Sequence, residues 1–162
     1  GISALVDSPE SVGADRLVNA VAGYEKYGGS LIIVDFGTAT TFDVINGDGD
    51  YVGGAIAPGI NLSVEALHMA AAMLPRVSVE RPPTVIGKRT ESAMHSGIYW
   101  GYVGLIEGLV KRIREEYGED MRVLATGGLA PLFEAATDSI GQVDDDLTLR
   151  GLVSIHARNT AI

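Results

Sequence analysis

One short segment carries the residues best suited to chemistry. Asp35 closes an apolar run, Gly37 permits a turn, and hydroxyls follow in the stretch Asp35-Phe36-Gly37-Thr38-Ala39-Thr40-Thr41. A carboxylate in this place can hold a cation while backbone N–H groups and threonine hydroxyls face a phosphate, because glycine lets the backbone approach an anion closely. An ordinary hairpin in which Asp35 caps its own turn fits the same spacing. Both interpretations are open at this point.

A second segment, Gly13-Ala14-Asp15-Arg16, stands at the start of a helical pattern. Asp15 could accept a proton from a substrate hydroxyl, and the planar guanidinium of Arg16 could hold an acidic group beside it. The simpler interpretation is structural, since an acidic residue is favoured at the cap or in the first turn of any helix. From spacing alone the structural interpretation is the stronger one.

A third segment, Thr126-Gly127-Gly128, lies between a predicted strand and a predicted helix. Two adjacent glycines would let a nucleotide base or ribose lie flat against the backbone, although for this segment alone a tight turn is the stronger interpretation. The sequence contains neither the G-x-x-x-x-G-K-[ST] phosphate loop nor the G-x-G-x-x-G dinucleotide turn. A bound nucleotide would therefore be held in another manner.

Four glycines on the longest predicted helix share one face. Gly97, Gly101, Gly104 and Gly108 are spaced by four, three and four residues, and each costs about 1 kcal/mol relative to alanine inside a helix. Such a stripe indicates a close contact that compensates the cost, either with the core of the chain or with a second subunit. Thr90 is predicted to be the N-cap of this helix.

The elements that must position these residues follow from periodicity and turn signals. A helix is predicted over residues 14–27, and three strands over 31–36, 38–45 and 50–58 form an antiparallel meander, because Asn46-Gly47 is a strong hairpin signal. Further helices are expected over about 62–73, 91–117, 130–136 and 147–158, with a strand at 121–125 and a loop at 77–89. Helices alternate with strands, so the predicted class is α/β.

Composition narrows the possible functions. The 162 residues hold 12 Lys and Arg against 21 Asp and Glu, a formal charge of −9, which argues against a nucleic-acid or anionic membrane surface. Zero cysteines exclude disulfides, thiolate zinc sites and a cysteine nucleophile. The length suits one domain. The run Asp144 to Asp146 is interpreted as a solvated loop, and the expected location is the cytoplasm.

Taken together, five motifs resemble a known family. G-A-D-R at 13–16, D-F-G-T-A-T-T at 35–41, G-G-A-I-A-P-G at 53–59, G-K-R-T-E-S-A-M-H-S-G at 87–97 and T-G-G-L-A at 126–130 are similar to those of type III pantothenate kinases of bacteria, in the family's order. These kinases belong to the actin-like superfamily of acetate and sugar kinases. The resemblance implies an actin-like, ribonuclease H-like α/β domain with a mixed sheet flanked by helices.

The resemblance also implies an activity and a substrate site. It implies ATP-dependent phosphorylation of pantothenate to 4'-phosphopantothenate, the first step of coenzyme A biosynthesis. Asp15 corresponds to the general base, and Gly13, Ala14, Asp15 and Arg16 correspond to the segment that holds pantothenate. Thr90 corresponds to a pantothenate contact that comes from the neighbouring subunit of the family's homodimer.

On the nucleotide side, the resemblance implies that Gly37 and Thr38 contact ATP, which arrives with Mg²⁺. The Gly127-Gly128 turn corresponds to the adenosine side. Asp35 corresponds to the ligand of an activating monovalent cation, potassium or ammonium. No nucleic acid or membrane is expected as a partner.

One element of the family is missing from these 162 residues. The superfamily's first phosphate motif, D-x-G-N-T in these kinases, is absent, so the chain is expected to be the second, C-terminal lobe of a two-lobe kinase. The lobe alone is expected to have little kinase activity. Two other functions stay open: another actin-like small-molecule kinase, and a non-catalytic accessory factor in transcriptional regulation.

Overall fold

A computed structural model describes residues 2–70 and 75–160 of the chain. Its centre is a five-stranded sheet made of β1 (Leu31–Phe36), β2 (Ala39–Ile45), β3 (Tyr51–Pro58), β4 (Arg122–Thr126) and β5 (Gln142–Val143). The strand order is β3-β2-β1-β4-β5. β1, β2 and β3 pair antiparallel, whereas β4 pairs parallel to both β1 and β5. The predicted meander and the mixed sheet are confirmed.

Five α-helices accompany the sheet within the described residues: α1 (Ala14–Tyr27), α2 (Ile60–Ala70), α3 (Thr90–Tyr117), α4 (Ala130–Glu134) and α5 (Leu147–Thr160). A short 3-10 turn at Pro9–Ser11 precedes α1. α1 has the predicted bounds, with Gly28 at its C-cap. None of these helices is both long and apolar enough to cross a membrane.

The alternation of side chains along β1 divides the core into two layers. Ile32, Val34 and Phe36 pack with the buried face of α3, where Tyr99 and Tyr102 form an aromatic cluster with Phe133 of α4. The odd-numbered residues Leu31 and Ile33 face the other way and pack with Ala20 and Ala22 of α1. Asp35 has the same parity as Leu31 and Ile33, so the pleat directs its carboxylate toward α1.

A second helix, α5, lies against α1 at very short range. A Cβ placed on the buried Gly151 would lie 2.3 Å from the backbone oxygen of Val18, so only glycine allows this approach. Leu147, at the start of α5, is fully buried in the layer between α1 and the sheet. The first two turns of α5 therefore have a fixed position relative to α1.

Several predicted boundaries need correction. Thr90 is the first residue of α3 and not its N-cap; Arg89 is the cap, and its N–H donates to Ser92 Oγ at 3.1 Å. α2 begins two residues earlier than expected, and residues 71–73 of the predicted helix lie outside the described residues. β5 was not predicted, because two residues carry no periodicity.

The glycine stripe of α3 is on the outside of the molecule. Gly97, Gly101 and Gly104 are exposed, and a Cβ on any of them would meet no atom of the described chain within 4 Å. A Cβ on Gly108 would lie 3.1 Å from the Arg112 side chain of the same helix. Packing within the described part of the chain therefore does not explain the stripe, and a contact with another subunit stays a prediction.

Candidate active site

The N-terminus of α1 presents an accessible carboxylate. Gly13 is the N-cap, and Asp15 is exposed in the first turn. A Cβ on Gly13 would lie 2.6 Å from Asp15 Oδ1, so the carboxylate is close to the cap residue and glycine leaves the space that it uses. Asp15 is therefore not the cap of the helix, and its side chain is open to a ligand.

Asp35 meets α1 one helical turn further along. Asn19 Nδ2 donates to Asp35 Oδ2 at 2.8 Å, and Asn19 follows Asp15 at the i+4 spacing that puts two side chains on one helix face. Asp35 bonds to a residue of α1 and not to its own turn, so the interpretation of this segment as a self-capped hairpin is wrong. The structure brings Asp15 and Asp35 to one region.

The electrostatics of this region favour a cation. Burial raises the pKa of Asp35, the hydrogen bond from Asn19 lowers it, and the negative charges of Asp15 and Asp43 raise it further, with a net increase. The second carboxylate oxygen, Oδ1, lies 4.0 Å from the position of a Cβ on Gly37 and accepts no hydrogen bond from the described residues. An oxygen without a donor among the described residues, beside other carboxylates, is a candidate ligand for a hard cation.

Arg16 has a partner that the sequence did not indicate. Its Nε donates to Asp43 Oδ1 at 2.6 Å, and the Asp43 carboxylate is completely buried. Thr41 and Tyr51 donate hydroxyl hydrogen bonds to the same carboxylate at 2.9 and 3.0 Å. The guanidinium also lies over the Tyr51 ring. Arg16 is therefore held in one orientation rather than free, as an exposed arginine would be.

One side of Arg16 still faces a cavity. It lines a space of about 320 Å³ together with Tyr51, the Gly53-Gly54 segment and residues 6–8. A Cβ on Gly54 would lie 3.2 Å from Arg16 Nη2. Asp43 could have been found in the sequence as a charged residue at an inward position of a predicted strand, with Arg16 as a candidate partner.

The two glycine turns expected at the nucleotide lie together. Gly37 and Thr38 follow β1, and Gly127 and Gly128 follow β4. Because β1 and β4 are parallel neighbours, both turns lie at the carboxyl ends of these strands, on the same end of the sheet. Gly37, Thr38 and Gly128 line a cavity of about 410 Å³ with Asn61 and Leu62 of α2. The cavity therefore lies at the carboxyl ends of β1 and β4, beside the first turn of α2.

Sterics explain two of the glycines near this cavity. Gly127 has a φ of 93°, and a Cβ there would lie 2.6 Å from Phe36 O, so the turn requires glycine. Gly59, which the sequence analysis did not single out, donates its N–H to Thr38 O at 3.1 Å, and a Cβ there would lie 2.1 Å from the same oxygen. The first turn of α2 is thereby attached to the Gly37-Thr38 turn.

Only one threonine of the Asp35–Thr41 segment faces outward at the turn. Thr38 is exposed. Thr40 is buried and shares a hydrogen bond of 2.9 Å with Tyr102, whose hydroxyl also contacts Pro58 O. Thr41 donates to Asp43. Of the threonine hydroxyls that were expected to face a phosphate, only that of Thr38 is exposed at the turn.

Thr90 stands apart from the other predicted site residues. It is exposed at the start of α3, beside a cavity lined by Thr84–Ile86, Lys88, Arg89 and Ser92. Within the described part of the chain, no hydrogen bond, ion pair or shared cavity joins Thr90 to Asp15 or Asp35.

The interpretation of the triple-aspartate run as a solvated loop is wrong for Asp144. Its side chain is 5% exposed and accepts from Lys26 Nζ at 2.8 Å, from Tyr27 Oη at 2.6 Å and from Arg150 Nη2. Burial alone would raise its pKa, but these donors outweigh burial and lower it. Asp145 and Asp146 are exposed, as expected. Asp144 joins α1, β5 and α5.

The order and direction of the strands define the fold class. The sheet order, with a meander on one side and parallel strands on the other, is that of actin-like ATPases and sugar kinases. A solved structure described as a Baf family transcriptional activator from Campylobacter jejuni covers 100% of this chain and 70% of its own, with a TM-score of 0.67 and 21% identity. A solved structure described as a 2-dehydro-3-deoxygalactonokinase from Sinorhizobium meliloti gives 0.64 at 13% identity, over 90% of this chain and 60% of its own. At these identities the likeness shows the fold alone.

Sequence comparison specifies the family. The family model for type III pantothenate kinase matches residues 1–112. The chain is 70% identical to type III pantothenate kinases of Paramagnetospirillum magneticum and Rhodospirillum rubrum, over 99% and 98% of its length. It belongs to the type III pantothenate kinase family. The chain spans 62% of the length of each of these two relatives.

Proposed function

We propose that the protein containing this chain phosphorylates pantothenate with ATP to give 4'-phosphopantothenate, the first step of coenzyme A biosynthesis. The observation that carries the proposal is the grouping at one end of the sheet. The exposed carboxylate of Asp15 lies one helical turn from Asn19, which bonds to Asp35. The carboxyl end of the Asp35 strand continues directly into the Gly37-Thr38 turn and its cavity. Membership of the family and identities near 70% support this substrate.

The proposed chemistry needs one base and good positioning. Asp15 accepts the proton of the primary hydroxyl of pantothenate as that oxygen bonds to the γ-phosphorus of ATP. The bond from this phosphorus to the β,γ-bridging oxygen breaks, and ADP leaves. Gly13, Ala14 and Arg16 surround the substrate, with Arg16 kept in place by Asp43 and Tyr51.

The nucleotide would occupy the cavity between the two glycine turns. The backbone at Gly37 and Thr38, which line this cavity, would face the phosphates. The Gly127-Gly128 turn, of which Gly128 lines the cavity, would border the adenosine. Mg²⁺ accompanies ATP and offsets phosphate charge. Asp35 Oδ1 would hold the activating monovalent cation, potassium or ammonium, because this oxygen accepts no hydrogen bond from the described residues.

A homodimer would complete the site. Thr90 lies away from Asp15 within one chain, and the stripe of Gly97, Gly101 and Gly104 is exposed. A second α3 packed against this stripe would let backbones approach closely and would bring Thr90 to the partner's pantothenate. The domain itself would be the second, C-terminal lobe of a two-lobe kinase in the cytoplasm. Half of the ATP-binding cleft would then come from the other lobe, and the isolated chain would be nearly inactive.

A coupled assay of the full-length protein tests the activity. We expect ADP release that depends on pantothenate, is not supported by glucose, and increases when potassium replaces choline in the buffer. Asp15→Asn keeps the shape of the side chain and removes the base, so kcat should fall by roughly 10²- to 10⁴-fold. Asp48→Asn, at an exposed position of the β2–β3 loop, is the matched control and should leave kcat unchanged. Activity on glucose would favour another small-molecule kinase, and no activity on either would favour a non-catalytic role.

Light scattering tests the dimer. Replacing Gly101 and Gly104 together with leucine puts two large side chains on the proposed contact, so the double variant should be monomeric at concentrations where the full-length protein is a dimer. An unchanged dimer would rule out this face as the interface.

A further inference from the structure

We propose that Thr148 and Asn19 are positioning residues that orient Asp35, so that one carboxylate oxygen is always presented to the Gly37-Thr38 turn. The inference rests on the proposed function and deepens it, since it assigns the geometry of the cation ligand to a residue of α5. Thr148 is 113 positions from Asp35 in the sequence, and no motif of the family resemblance includes Thr148 or Asn19.

The argument begins with the amide of Asn19. Its side chain is 1% exposed, and both of its polar atoms are used: Thr148 Oγ1 donates to Oδ1 at 2.7 Å, and Nδ2 donates to Asp35 Oδ2 at 2.8 Å. An amide can rotate by 180° and exchange its oxygen and nitrogen. The rotated amide would turn its oxygen toward the Asp35 carboxylate, which places two acceptors together in a buried location.

The Asp35 carboxylate, which can only accept, selects the unrotated amide, in which Nδ2 faces it. Thr148 supports this orientation, because its hydroxyl donates to Asn19 Oδ1 and leaves neither polar atom of the buried amide without a partner. Asp35 Oδ2 is thereby engaged, and Oδ1 is left on the side of Gly37, where no described residue donates to it. The chain of hydrogen bonds thus runs from α5 through Asn19 to Asp35, beside the proposed cation.

The position of Thr148 is itself well determined. Leu147 beside it is fully buried, and Gly151 lets α5 approach the Val18 backbone to a distance that no other residue would permit. Asp144, three residues before α5, is tied to α1 through Lys26 and Tyr27. Thr148 therefore cannot move away from Asn19 without disturbing the α1–α5 contact.

The same helix pair supplies a matched control. Ser154 Oγ donates to Glu25 Oε1 at 2.8 Å at the exposed end of the α1–α5 contact. Ser154→Ala removes one hydroxyl hydrogen bond between the same two helices without involving Asn19 or Asp35. Thr148→Val removes the hydroxyl of Thr148 and keeps its shape, and Thr148→Ser restores the hydroxyl.

The test uses these three variants in the full-length protein and two measurements. The first is the potassium concentration that gives half-maximal kinase activity. Thr148→Val should raise it about five-fold, the effect of one hydrogen bond, with a much smaller change in the KM for pantothenate. Thr148→Ser and Ser154→Ala should match the unmodified protein.

The second measurement does not depend on activity. It is the difference in Tm between potassium chloride and choline chloride at equal ionic strength. Thr148→Val should reduce this difference, and Thr148→Ser should restore it. A purely structural role of Thr148 would lower Tm equally in both salts and leave the difference unchanged, which would overturn the inference.

Failure of the inference is distinguishable from failure of the proposed function. If the unmodified protein phosphorylates pantothenate and responds to potassium, but Thr148→Val has the same half-activating concentration and the same Tm difference, then Thr148 does not position Asp35. If the unmodified protein shows neither pantothenate kinase activity nor a potassium-dependent Tm, the proposed function and the inference both fall.

Discussion

Two aspartates of this domain, the partly buried Asp35 and the buried Asp144, have pKa values that their surroundings shift in opposite directions. Asp144 accepts hydrogen bonds from a lysine, a tyrosine and an arginine, and these donors lower its pKa despite burial. Asp35 accepts one hydrogen bond from a neutral amide and has Asp15 and Asp43 nearby, so its pKa is raised. The chain itself supplies the positive partners of Asp144, whereas Asp35 has no positive partner among the described residues.

Under the proposed function, the difference is that between a residue that holds the fold and a residue arranged for a ligand. A carboxylate whose donors are all supplied by the chain stabilises the folded state when ionised. A carboxylate among like charges destabilises the folded state when ionised, and it is retained where a ligand cation offsets the cost. Three substitutions test this difference between Asp35 and Asp144.

The largest effect is expected for Asp144→Asn, which leaves Lys26 and Arg150 without their anionic partner. The free energy of unfolding at pH 7 should fall by about 2 kcal/mol. Because the pKa of Asp144 is lowered in the folded state, its contribution is present above the pKa of the unfolded chain and is lost as pH falls through the folded value. Urea denaturation of the protein and the variant should therefore converge below about pH 4. A constant difference down to low pH would mean that packing, and not charge, makes Asp144 important.

A smaller effect is expected for Tyr27→Phe. The substitution removes the hydrogen bond of 2.6 Å from Tyr27 to Asp144 and keeps the ring, so the free energy of unfolding should fall by about 1 kcal/mol. In the double variant with Asp144→Asn the two losses should not add, because the tyrosine hydroxyl then has no carboxylate to bind. Full additivity in a double-mutant cycle would show that Tyr27 acts independently of Asp144.

The smallest effect is expected for Asp35→Asn, and its sign is opposite. The pKa of Asp35 is raised in the folded state, so its ionisation costs stability as pH rises through that value, and a neutral amide avoids the cost. In buffer without potassium at pH 7, the free energy of unfolding should rise by under about 1 kcal/mol, with no difference at low pH. A variant less stable than the original at pH 7 would make Asp35 a structural residue like Asp144.

Local patterns predicted much of the fold correctly. The bounds of α1 and β1 follow from a helical period ended by Gly28 and from an apolar β-branched run, and the meander follows from the hairpin signal at Asn46-Gly47. These features depend on neighbours in the sequence. β5 was missed because its two residues carry no period, and its place beside β4 depends on contacts made far along the chain.

The site was predicted less completely for the same reason. The motifs indicated Asp15, Asp35 and the glycine turns as candidate site residues, but the side chains that contact the buried aspartates are distant in the sequence. Asp144 lies 118 positions from Lys26, and Thr148 lies 129 positions from Asn19. Three consecutive aspartates look solvated when read alone, and nothing local distinguishes the first from the other two. Only tertiary packing separates them.

The attachment of Gly59 to Thr38 has a consequence for binding thermodynamics. Because the turn after β1 is held by a backbone hydrogen bond from the start of α2, its conformational entropy is lost when the domain folds and not when a nucleotide arrives. A ligand that meets this turn has no loop to order, which favours affinity for a given number of contacts. Under the proposed function, a nucleotide would then meet a turn that is already in place, and binding would require little rearrangement at this end of the sheet.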